Sequence, residues 1–69
     1  MLLQTAIAQM KAAREAAGLT LKDVSEKSGI AVETLSRIET GAARNPTWKT
    51  LGDYAHAVGC RLTLGVETA

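Results

Sequence analysis

His56 and Cys60 stand four residues apart, a spacing that puts an imidazole and a thiol on one face of a helix. Such a pair could start a metal site or a thiol–imidazole nucleophile. A structural zinc site takes four ligands, and a nucleophilic pair needs a third group to orient its base. The 69 residues hold one histidine and one cysteine, so the further partners are missing. His56 then reads as exposed helix surface and Cys60 as a small buried apolar residue. The sequence shows no phosphate loop, paired catalytic carboxylates or nucleotide fingerprint. The expectation is a protein that is not an enzyme and needs no cofactor or metal.

Arg14 is the other residue whose chemistry demands company. It falls within the stripe Leu3, Ile7, Met10, Arg14 and Ala17, the inward face of a first helix expected over residues 3–17. A guanidinium on an inward face requires a carboxylate partner, so an acidic residue must come to it from elsewhere.

The elements that would position these groups follow from the punctuation of the chain. Gly18 closes the first helix in the position glycine favours. Thr20 caps a second helix, with Asp23 three residues on in the place of a capping box. Leu19 and Val24 occupy the two positions of a hydrophobic staple. That helix stops early at Ser28-Gly29. A third follows over residues 32–40, with Ile30, Leu35 and Ile38 facing inward and Gly41 ending it. Ser25, small and one turn before the glycine, lets the second and third helices approach closely. Two short helices whose apolar faces meet across a glycine turn are the physical specification of a helix-turn-helix.

Asn45-Pro46 precedes a fourth helix opening at Thr47, whose stripe is Trp48, Leu51, Ala55 and Val58 and whose end is Gly59. Gly52 in its middle suggests a close backbone contact. Beyond it the period changes. Cys60, Leu62, Leu64 and Val66 alternate with Arg61, Thr63, Gly65 and Glu67, the pattern of a half-buried strand. The chain offers that strand no second strand, so its partner would be its own copy in a homodimer. The alternative is a strand-like tail lying unpaired on the helices. The expected division is a helix-turn-helix domain over residues 1–59 and a dimerisation strand and tail over 60–69.

The size allows one domain, which buries about 60% of its unfolded surface and is marginal alone. A lone cysteine suits a reducing cytosol, so the expected location is cytoplasmic. The first residues carry no basic region and no long apolar run, and read as neither signal peptide nor membrane span. The formal net charge of +1 gives little general pull toward nucleic acid. The argument rests on where particular residues sit.

Residues 10–59 resemble the Xre/Cro-type helix-turn-helix family. The resemblance is carried by Arg14, by Leu19-Thr20-Leu21-Lys22-Asp23-Val24, and by Ser28-Gly29-Ile30. It continues through Leu35-Ser36-Arg37-Ile38-Glu39-Thr40-Gly41 and Asn45-Pro46-Thr47 to Val58-Gly59. It implies a lambda-repressor-like, mostly α fold and a homodimer on operator DNA that represses transcription. It also implies that Glu39 is the carboxylate Arg14 requires. Four helices followed by a terminal strand are further similar to the antitoxins of HipA-kinase toxin–antitoxin pairs. That similarity rests on Val58-Gly59-Cys60-Arg61-Leu62-Thr63-Leu64 and adds a toxin kinase as an alternative partner.

A recognition helix presents its N-terminal side chains to base edges in the major groove. Here those are Val32, Glu33, Ser36 and Arg37. Arg37 suits a bidentate contact to guanine, Glu33 the cytosine amino group, and Val32 a thymine methyl. Glu33 equally offsets its helix dipole, and Arg37 equally suits a phosphate. Phosphate contacts are expected from Thr20, Lys22, Lys27, Arg44, Asn45 and Lys49, any of which also reads as solvated surface. Leu21 and Ala31 stand where family members often carry Gln and Ser. Neither can bond a phosphate, which lowers the operator affinity the resemblance implies.

Overall fold

A computed structural model describes residues 3–43 and 45–62, with side chains from residue 5 onward. Arg44, Leu64 and Val66 therefore lie outside the described residues, as does the side chain of Leu3.

Four helices form: α1 (Leu3–Ala16), α2 (Leu21–Ser28), α3 (Val32–Thr40) and α4 (Trp48–Ala57). α3 packs against both α1 and α2, and α2 packs against α4. Each boundary has a local cause. At α2, the Thr20 hydroxyl accepts from the Asp23 N–H while the Asp23 carboxylate accepts from the Thr20 N–H. This completes the capping box. The backbone hydrogen bond from Thr20 comes first among the causes that hold the Asp23 carboxyl below its ordinary pKa. At the turn into α3, Gly29 takes a left-handed φ of 77°. The Ser28 hydroxyl donates to the Val24 carbonyl at 2.7 Å and accepts from the Ile30 N–H at 3.1 Å, fixing the turn from both sides. α4 is capped by Thr47, whose hydroxyl oxygen accepts from the Thr50 N–H.

The core is a single cluster of Met10, Val24, Leu35, Ile38, Leu51, Tyr54, Ala55 and Val58. Leu19 and Ile30 pack at its edge, as the staple and the turn require. The observed α1 face differs from the expected stripe. Ala6 and Met10 are buried and Ala13 is half-buried, whereas Ala17 is exposed. Ala17 belongs to the turn that leads into Gly18, so it has left the helical face.

α4 brings two corrections. Trp48 is half exposed, because the buried stripe begins one turn later at Leu51 and the first turn projects past the core. Gly52 meets no close neighbour from another element, since a Cβ built there has nothing within 4 Å among the described residues beyond its own helix backbone and adjacent residues. Among the described residues nothing makes the close contact expected at Gly52.

After α4 the chain reverses at Gly59, and the Cys60 N–H returns to the Ala55 carbonyl at 2.8 Å. Among the described residues no strand forms. Cys60 and Leu62 are half-buried against the core of their own chain.

Candidate nucleic-acid interface

Leu35 and Ile38 are fully buried and anchor α3 on the core. Its other side is open. Val32 is 39% exposed, Glu33 and Arg37 are exposed, and Ser36 is half-buried. Ala31 supplies no side-chain cap, so the first N–H groups of α3 are left for solvent or a ligand, with Glu33 in the first turn. Among the described residues Arg37 has no carboxylate partner. An unpaired guanidinium on an exposed helix face is suited to either a base edge or a phosphate.

The expected flanking groups also lie on the surface. Thr20, Lys22, Lys27, Asn45 and Lys49 are all exposed. Two have existing commitments. The Thr20 N–H and hydroxyl are engaged with Asp23, which places a carboxylate at the start of α2. Lys49 pairs with Asp53 at 2.8 Å, and that hydrogen bond is the main reason its ammonium holds its proton above the ordinary range. Exposed pairs of this kind are weak and give way to a stronger anion.

What holds α3 in place is a four-part junction. Arg14 Nε donates to Glu39 Oε2 at 2.8 Å, and Nη2 donates to Oε1 at 3.0 Å. Its Nη1 donates to the Leu19 carbonyl at 2.8 Å. The Tyr54 hydroxyl donates to the same Glu39 Oε2. The side chains of Arg14 and Glu39 are only 13% and 6% exposed. The arginine therefore meets its carboxylate in fork-to-fork geometry, with little water to screen it. Its hydrogen bond to Glu39 is the chief cause that raises the Arg14 pKa further. α1 and α4 meet α3 at this one carboxylate, and Arg14 also ties in the α1–α2 loop through Leu19.

A model of the helix-turn-helix family matches residues 10–64. The chain belongs to the Xre-type helix-turn-helix family of DNA-binding transcription regulators. No curated protein and no solved structure matches it. In this helix-turn-helix, α2 and α3 are the paired helices and Ser28-Gly29 is the turn. No helix among the described residues is long and apolar enough to cross a membrane.

Tyr54 is the residue sequence reasoning passed over. It lies three after Leu51 on the inward stripe of α4, and it is fully buried. A tyrosine at a core position needs a partner for its hydroxyl. That requirement, set beside the unpaired Arg14, was the available signal.

Proposed function

We propose that this helix-turn-helix protein binds operator DNA as a homodimer, represses transcription, and acts on its own promoter. Val32, Glu33, Ser36 and Arg37 read base edges from α3. Thr20, Lys22, Lys27, Arg44, Asn45 and Lys49 hold phosphates on either side. The homodimer is closed by the tail, with Cys60, Leu62, Leu64 and Val66 on the pairing segment. Residues 1–59 serve as the DNA-binding part and 60–69 as the dimerisation part, in the cytoplasm.

The observation that carries this reading is the two-sidedness of α3. Its inner face is locked by Leu35, Ile38 and the Glu39 junction, while the outer face offers Arg37, unpaired among the described residues, with Glu33 and Val32. Structural residues would not need that outer face polar and uncommitted. A second reading follows from the net charge of +1, which is low for a protein working on nucleic acid alone. In it, the protein also neutralises a kinase-type toxin by direct contact.

Footprinting on the DNA upstream of its own gene, across a salt series, tests the first reading. The expected result is protection of two half-sites about 34–36 Å apart, weakening steeply with salt. Absence of protection at low salt overturns it, and copurification with a kinase would then support the second.

A further inference from the structure

Along one edge of α4, at spacings of four, lie three residues that no packing among the described residues uses. Trp48 is 50% exposed, the most open large apolar side chain among the described residues. One turn on, Gly52 is a poor helix former with no neighbour among the described residues that requires it to be small. One turn further is His56, also exposed. With Cys60, Arg61 and Leu62 these residues line a groove of about 280 Å³.

We propose that this face binds a second copy of itself. α4 crosses α4 of the partner antiparallel at Gly52, and Trp48 of each copy enters the groove of the other. The proposal rests on the homodimer reading above and assigns it a surface.

The spacing along α4 is self-complementary. Trp48 and His56 each stand four residues from Gly52, about 6 Å along the axis in opposite directions. A two-fold axis through Gly52 therefore sets Trp48 over His56 of the partner subunit, and the same contact repeats by symmetry. The bare backbone at Gly52 lets the helices approach closely where they cross.

Charge points the same way. The groove lining includes the Arg61 guanidinium and no carboxylate. An indole presents an electron-rich face, the complement of a guanidinium. The position of the chain's end also agrees. Cys60 to Leu62 form one wall of the groove and lead directly into residues 63–69, the segment proposed to pair across the dimer. The α4 contact and the tail contact would thus be continuous. The chain's own tail and an unrelated protein are the rival occupants.

Gly52→Leu in the full chain separates these possibilities. The new side chain meets open space among the described residues, and leucine favours the helix, so thermal stability of the monomer should hold or rise. Sedimentation equilibrium should show self-association weakened about thirtyfold or more, as for loss of a central aromatic anchor. Trp48 is the only tryptophan, so its fluorescence reports the contact directly. On dilution of the wild type, its emission should move to the red at the concentration where the dimer dissociates.

A Gly52→Leu protein that dimerises as the wild type does would overturn the proposal. So would Trp48 emission unchanged across dissociation, or a wild type monomeric at every concentration. If Leu64→Asp dissociates the dimer while Gly52→Leu does not, the tail alone makes the interface. A dimer that ignores Gly52→Leu yet still protects DNA overturns this interface and leaves the operator reading standing.

Discussion

Tyr54 donates its phenolic hydroxyl to Glu39, the same carboxylate that receives Arg14. α4 is thereby tied to the end of α3 by a polar bond inside an otherwise aliphatic core. Tyr54→Phe keeps the ring and removes only the donor. Hydrogen bonds to charged groups are worth about 1.5–3 kcal/mol, so urea unfolding should show a loss of that size with an unchanged slope. A double-mutant cycle with Glu39→Gln should give a coupling well above zero. Additive effects would mean the bond carries no net stability.

Removing Arg14 or Glu39 alone should cost more than removing both together. Removing one partner leaves a largely buried charge unpaired, which costs about 3–5 kcal/mol. That is a large share of the few kcal/mol available to a chain this short. Arg14→Ala should therefore be mostly unfolded by circular dichroism at ordinary temperature. Arg14→Met combined with Glu39→Leu removes both charges and should recover much of the lost stability, although Tyr54 then lacks its acceptor. A double variant no more stable than Arg14→Ala would show that the junction acts through packing.

Tyr54 also sets an alkaline limit. Burial, followed by the hydrogen bond to Glu39, raises the pKa of its phenol well above the ordinary value. The folded state prefers the neutral phenol, so the stabilisation is fully present below the unfolded value of about 10 and is lost as pH rises beyond it. Tyr54 is the only tyrosine, so phenolate absorbance reports it alone. Absorbance should stay flat past pH about 10 and rise together with loss of helix, while in urea it should titrate near 10. Phenolate forming near 10 in the folded protein would contradict the burial.

The helix boundaries were legible in the sequence because each has a local marker, and Arg14 on an inward stripe announced that it needed a carboxylate without saying which. Thr20 with Asp23, Ser28-Gly29, and Asn45-Pro46 before Thr47 act over a few residues, which a linear reading can follow. Glu39 was reached through family resemblance and then met in the geometry. Trp48 and Gly52 were misjudged for a different reason. Helical periodicity tells which way a side chain points, but not how far the core extends along the axis. Trp48 points inward by period and still overshoots the core by one turn. Tyr54 was missed because its role depends on α3 and α4 being brought together, which no spacing within α4 encodes.

Thr20 offers a test of how α2 is held. Its hydroxyl accepts from the Asp23 N–H, and the Asp23 carboxylate answers from three residues on. Thr20→Ala should cost about 1 kcal/mol in thermal or urea unfolding, the usual loss for a cap. Because the Asp23 carboxyl is held below its ordinary range, its contribution exists above that range and fades as pH falls through the folded value. Asp23→Asn should therefore lose stability at neutral pH and lose little more on acidification. An equal acid sensitivity in Asp23→Asn and wild type would place the titrating group elsewhere.

Arg37 carries the sharpest prediction about DNA. Its side chain is exposed, free of any carboxylate among the described residues, and borne on a helix that Leu35 and Ile38 hold rigidly. If it contacts guanine in bidentate fashion, Arg37→Ala should weaken binding to the operator by about 1–3 kcal/mol. Binding to unrelated DNA should barely change, since that depends on the number of phosphate contacts. The salt slope should likewise stay close to that of the wild type. A phosphate contact would behave differently, with both affinities falling together and the slope shrinking by about one. The two readings of Arg37 thus separate on the ratio of specific to nonspecific binding, measured at a single salt concentration and then across a series.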